Sequence, residues 1–111
     1  MSDAAAEALV ERVRQALRVV IDPELGYNIV DLGLVYDVAV DSAGIAHIAM
    51  TTTTRGCPAT GYLADGARDA VASVPGVQAV DVALTYDPPW RPQMMSAAAK
   101  TNLGVTSGGG W

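Results

Sequence analysis

Apolar residues recur at two different periods along this chain, and the order in which the periods alternate narrows the possible folds to a few. Leu9, Val13, Ala16, Leu17 and Val20 follow helical spacing and place one apolar stripe on a helix over residues 4–20. Ser2 or Asp3 can cap that helix, and Glu7 suits the positive end of its dipole. Pro23 disfavours helical geometry at Asp22 and so ends the segment. From Leu34 the period drops to two. Leu34, Tyr36, Val38 and Val40 share a face, Asp41-Ser42-Ala43-Gly44 turns the chain, and Ala46, Ile48 and Met50 share a face of the returning strand over 45–52. Helical spacing resumes at Leu63, Ala67, Ala70, Val71 and Val74, in a helix predicted over 58–74 that opens on Pro58 and closes before Pro75-Gly76. Alternation returns at Val80, Val82, Leu84 and Tyr86, in a strand over 77–86. The order α-β-β-α-β predicts an α+β fold, a two-layer α/β sandwich with both helices on one face of a three-stranded mixed sheet. Ser96 and Gly104 bracket a short C-terminal helix.

The stretch from Pro23 to Gly33 mixes turn formers with Leu25, Ile29, Val30 and Leu32, and reads as an ordered loop with one helical turn near residues 28–32. The 111 residues form one domain over 1–104, with a flexible C-terminal tail over 105–111. A domain of this length buries roughly 65% of its unfolded surface. It does so with 19 Ala, 14 Val and no Phe, so the core is thin and built from small side chains. Twelve acidic against seven basic residues give a net charge of −5 with no Lys/Arg cluster, which excludes a binder of nucleic-acid phosphates. No apolar run reaches the ~18 residues of a membrane span, and the acidic start lacks a signal peptide's basic region. A small cytoplasmic domain is expected.

One residue stands out chemically. Cys57 follows a polar loop and directly precedes a helix, where unpaired N–H groups and Arg55 would favour a thiolate able to bind a soft metal or attack an electrophile. A free cysteine can equally be a small buried hydrophobe. As the only cysteine, it excludes an internal disulfide and a self-contained four-cysteine metal site. His47, the only histidine, falls mid-strand on the face opposite Ile48 and Met50, which reads as solvent-facing rather than as a partner for the thiol. Asp22 and Glu24 either cap their loop or reach toward Cys57. The hydroxyl run Thr51 to Thr54 ends a strand just upstream of the thiol. No phosphate-binding glycine loop, HExxH or GxSxG is present, so nucleotide binding and the common hydrolase chemistries have no support.

These residues also form a pattern. Asp22-Pro23-Glu24-Leu25 with Asn28 through Tyr36, then Met50-Thr51 through Thr53-Thr54 to Gly56-Cys57-Pro58, then Pro88-Pro89-Trp90 with Met94-Met95-Ser96 and Leu103-Gly104, resemble in order and spacing the MIP18-like family, formerly the domain of unknown function 59. The resemblance spans about residues 7 to 104. It implies a non-enzymatic factor for iron–sulfur cluster assembly or maturation, acting as a transient carrier or as an adaptor for apo-proteins. It places Asp22, Glu24, Thr53, Thr54 and Cys57 around one pocket, with Cys57 as the ligand to a shared or transient cluster. The implied partners are the iron–sulfur assembly machinery, client apo-proteins and, in a homodimer, a second copy of the chain. An accessory subunit of a ring-oxygenating system and a thiol-dependent enzyme are the alternatives. Stoichiometry bears on the choice: an iron–sulfur cluster needs about four ligands. One chain supplies a single thiol and a symmetric dimer two, so no cluster is held stably by one chain alone.

Overall fold

The computed structural model describes residues 3–104; the tail expected over 105–111 and the candidate cap Ser2 lie outside the described residues. The elements are α1 (Asp3–Leu17), β1 (Ile21–Asp22), β2 (Tyr27–Asn28), β3 (Val35–Val40), β4 (Ile45–Met50), α2 (Thr60–Ala72), β5 (Ala79–Leu84), a 3-10 turn at Pro92–Met94 and α3 (Ala97–Leu103). Strand β4 is central. It pairs antiparallel with β3, Val38 facing Ile48, and parallel with β5, Ile48 facing Val82. The sheet is mixed because the β3–β4 turn reverses the chain, whereas the α2 crossover restores its direction.

Alternation along β4 sorts the two layers. Ala46, Ile48 and Met50 are buried against Leu9, Val13 and Leu17 of α1 and Leu63, Ala67 and Val71 of α2. Each of the larger side chains contributes roughly 1.5–3 kcal/mol by leaving water. On the opposite face Asp37, Ala39, His47 and Asp81 remain exposed. Both long helices therefore lie on one face of the sheet, as the periodicity predicts.

Two features depart from the sequence reading. The loop after α1 contains a two-stranded ribbon, with Ile21 opposite Asn28 and Asp22 opposite Tyr27. The single helical turn is present beyond it, where Leu32 N–H donates to the Asn28 carbonyl at 3.1 Å. This loop can be buried because its side chains satisfy its backbone. Asn28 Oδ1 accepts from Asp31 N–H at 2.9 Å, while Asp31 Oδ2 accepts from Asn28 Nδ2 at 2.8 Å and Arg18 at 2.7 Å. Helix α2 begins at Thr60 rather than Pro58, since the Cys57 carbonyl is taken by Thr60 through both its N–H (3.0 Å) and its hydroxyl (2.7 Å).

The C-terminal segment straps across this loop. Trp90 Nε1 donates to the Leu32 carbonyl at 2.7 Å, Tyr36 OH to the Pro88 carbonyl at 2.7 Å, and Ser96 N–H to the Asp31 carbonyl at 2.7 Å. Ser96 caps α3 by accepting from Ala99 N–H, and Gly104 ends it in the left-handed conformation, both as expected. At Gly33 (φ +76°) a side chain would strike the Met94 carbonyl, so glycine alone lets strap and loop meet.

Candidate functional site

Asp22 is only 1% exposed, and its carboxylate organises a turn. Oδ1 accepts hydrogen bonds from Glu24 N–H at 2.7 Å and Leu25 N–H at 3.1 Å, while the Asp22 carbonyl accepts from Gly26 N–H at 2.7 Å. Gly26 closes the turn at φ +67°. The result presents the Glu24 side chain to the start of α2, where the Cys57 thiol donates to Glu24 Oε1 at 3.1 Å. Asp22 Oδ2 is buried without a hydrogen-bond partner among the described residues.

The loop that carries Cys57 is held from the sheet. Thr51 N–H donates to the Leu34 carbonyl at 2.8 Å and Thr85 N–H to the Met50 carbonyl at 2.9 Å, so β4 is anchored on both sides where the loop departs. The Thr52 hydroxyl donates to the Thr54 carbonyl at 2.7 Å and lies 3.0 Å from the Tyr86 hydroxyl. The Arg55 guanidinium stacks 4.8 Å from the centre of the Tyr86 ring.

Of the residues expected at one pocket, Glu24 meets Cys57 directly, and Asp22 organises the Glu24 turn and lies near enough for its charge to act on the thiol. Thr53 is half-buried and Thr54 exposed in the same loop, and neither side chain forms a hydrogen bond among the described residues. Thr52 and Tyr86 brace the loop instead, and sequence reasoning did not single them out. Their only signal was that Tyr86 ends an alternating strand while Thr52 ends its parallel neighbour.

The thiol corrects an expectation. Position at a helix start beside Arg55 predicts a partly accessible cysteine that ionises readily. Cys57 is instead 6% exposed, and the hydrogen bond to Glu24, followed by burial, holds its pKa above the ordinary cysteine range. The Ala59 N–H at the helix start does favour the thiolate, as the position predicts, and is outweighed. Arg55 meanwhile engages the ring of Tyr86. His47 is exposed on the open face of the sheet, between Asp41 at 2.9 Å and Asp81 at 3.4 Å, as its strand position suggested. The Asp41 hydrogen bond, then that of Asp81, raises its pKa.

A thiol that donates its hydrogen bond to one carboxylate and feels the charge of a second, buried one suits a cation that displaces the proton. Among the described residues no group of three or more His, Cys, Asp or Glu side chains is placed to hold a metal ion, so the site has the chemistry of a single ligand rather than a closed metal centre. Fold and site together define a small α+β domain with one thiol–carboxylate pair at a loop–helix junction. The chain belongs to the family described as iron–sulfur cluster assembly protein, whose model matches residues 10–84.

Relatives agree over nearly their whole length. The chain is 46% identical over 99 residues to the Fe-S protein maturation auxiliary factor YitW of Bacillus subtilis, covering 89% of this chain and 97% of that protein. It is 46% identical over 87 residues to the Fe-S protein maturation auxiliary factor SufT of Staphylococcus aureus, covering 78% and 99%. The crystal structure of a domain of unknown function 59 from Bacillus anthracis superposes with a TM-score of 0.89 at 40% identity, covering 95% of this chain and all of that one. The family resemblance drawn from the three motif blocks is thereby shown.

Proposed function

We propose that this chain is a cytoplasmic, non-enzymatic maturation factor that takes an iron–sulfur cluster transiently on Cys57 and passes it to client apo-proteins. The observation that carries this reading is the 3.1 Å hydrogen bond from the Cys57 thiol to Glu24, whose turn the buried Asp22 carboxylate organises. With no cation present, two nearby carboxylates keep the thiol protonated. When iron approaches, its charge reverses that balance: the thiol proton leaves by way of Glu24 Oε1 to solvent and the sulfur becomes an iron ligand. On departure of the cluster the thiol takes a proton back from solvent and the hydrogen bond to Glu24 re-forms. The cluster is cargo, because one thiol per chain, or two in a homodimer, leaves positions for the ligands of the assembly machinery or the client. Loose ligation suits delivery, since a donor must let go.

The same geometry disfavours a thiol enzyme. A nucleophilic cysteine needs a nearby base and a lowered pKa, whereas this thiol is held protonated and His47 is engaged by Asp41 and Asp81. Among the described residues no helix is long and apolar enough to cross a membrane. The reading of Thr53 and Thr54 as pocket residues stands with this proposal, because they lie in the loop that leads to the thiol.

Anaerobic reconstitution with iron and sulfide tests uptake directly. The expected result is a substoichiometric, chelator-labile cluster absorbance in the wild type that is absent in Cys57→Ser and strongly reduced in Glu24→Gln. An equally intense absorbance in Cys57→Ser would remove the thiol from the reading.

A further inference from the structure

Val19 is 72% exposed and Tyr62 is 63% exposed, the two most exposed large apolar side chains among the described residues. They are not scattered. Both line a groove of about 500 Å³ between the segment that follows α1 and one side of α2, together with Val20, Gly66 and Ala70. Large exposed apolar surface that gathers in a concavity marks a place where something binds. Gly66 sits in the interior of α2, where glycine is less favourable than alanine. A Cβ at that position would press within 3.3 Å of a Val20 methyl group, so glycine lets the segment after α1 lie close against α2 here.

The rim is acidic. Asp65 and Asp69 also line the groove, one helical turn apart on α2, a spacing at which like charges repel. Arg68 pairs with Asp65 at 3.2 Å, whereas Asp69 has no ion pair among the described residues. A second copy of the chain would bring the same two carboxylates against themselves across a symmetric contact, in a protein of net charge −5. The complement of this rim is a cation.

Both walls of the groove run on along the chain into the site. Val20 precedes Asp22 by two residues, and Tyr62 follows Thr60, the residue whose hydroxyl holds the Cys57 carbonyl at 2.7 Å. The two segments that bring the carboxylates to the thiol therefore also form the groove's walls.

We propose that this groove is the docking site for client apo-proteins, taking an extended client segment with an apolar side chain flanked by Lys or Arg. This deepens the delivery reading above and rests on it. The apolar side chain fills the space between Val19 and Tyr62, the flanking cation meets Asp65 and Asp69, and the client's cluster ligands are brought up beside Cys57.

Fluorescence anisotropy with a short labelled peptide alternating Leu and Lys tests the groove without any cluster. The wild type is expected to bind it and to ignore a Leu/Glu counterpart. Val19→Ser combined with Tyr62→Ser should weaken binding at least about tenfold, because each removes an apolar side chain that the bound peptide would bury. Asp65→Asn with Asp69→Asn should weaken it several-fold and flatten its dependence on salt. Cys57→Ser should bind as the wild type does, and the Val19/Tyr62 double variant should still take up cluster. In delivery to apo-aconitase, that double variant should need about tenfold more client for half-maximal rate while reaching the same maximum. Unchanged peptide affinity in the double variant, equal binding of the Leu/Glu peptide, or a wild-type dimer that the double substitution dissociates would each overturn the docking site. Full delivery by Cys57→Ser with peptide binding intact would instead overturn the delivery reading, so the two failures are told apart.

Discussion

At the scale of single residues, the chemistry turns on which group owns one proton. Cys57 donates to Glu24, and this bond, with burial, keeps the thiol protonated to higher pH than an ordinary cysteine. The rate of iodoacetamide alkylation followed against pH should therefore rise with a midpoint above that of a free cysteine. Glu24→Gln removes the charged acceptor and should move the midpoint down toward the ordinary value. A wild-type midpoint below that of an unfolded cysteine would contradict the assignment. The linkage to stability has the same sign. A folded-state pKa raised above the unfolded one favours the native state below the unfolded pKa, and this advantage disappears as pH rises through the folded value. The wild type should accordingly lose more melting temperature than Cys57→Ser between neutral and alkaline pH. Cys57 stood out in the sequence as a thiol directly before a helix, whereas Asp22 and Glu24 read equally as loop caps and joined it at one pocket through the family resemblance. Sequence alone misjudged the thiol because local features, the helix start and Arg55, all favour the thiolate. The group that decides the matter, Glu24, arrives from 33 residues away.

At the scale of elements, the Cys57 loop is a bridge between the end of β4 and the start of α2, braced by the end of β5. Tyr86 does the bracing twice, through its hydroxyl at 3.0 Å from Thr52 and through its ring under Arg55 at 4.8 Å. Tyr86→Phe removes the first contact and keeps the second. It should destabilise the fold by about 1 kcal/mol, the typical worth of one hydrogen bond. The effect should be local: amide exchange should quicken over residues 53–56 while the amides of α1 exchange as before. Uniform acceleration across the chain would show instead that Tyr86 supports the whole core. Legibility at this scale followed length. Strands of six residues and helices of thirteen or fifteen carry enough repeats for their period to be read, and their order was correct. The β1–β2 ribbon has two residues per strand, too few to display any period. The start of α2 shifted because Thr60, rather than Pro58, closes on the Cys57 carbonyl.

At the scale of the whole molecule, the core is built on Leu, Ile, Met and Val rather than on the small side chains the composition suggested, and a C-terminal strap closes over it. The segment from Pro88 to Ser96 ties back to Tyr36, Leu32 and Asp31, and these bonds hold in place the loop that folds around Asp22. One sheet face is covered by helices, and the turn at Asp22 brings Glu24 to the thiol that precedes α2. The motif blocks at both ends of the chain were legible as a family pattern, and the strap shows why they are far apart in sequence: the last block packs on the first. The central claim is that this scaffold exists to lend Cys57 to a passing cluster. Cluster delivery to apo-aconitase, scored by recovered activity with wild type, Cys57→Ser and Glu24→Gln side by side, tests it most directly. The wild type should restore activity well above the unassisted background, Cys57→Ser should fall to that background, and Glu24→Gln should lie between them. Delivery by Cys57→Ser at the wild-type rate would contradict the claim and leave a factor that guides clients without touching their cluster.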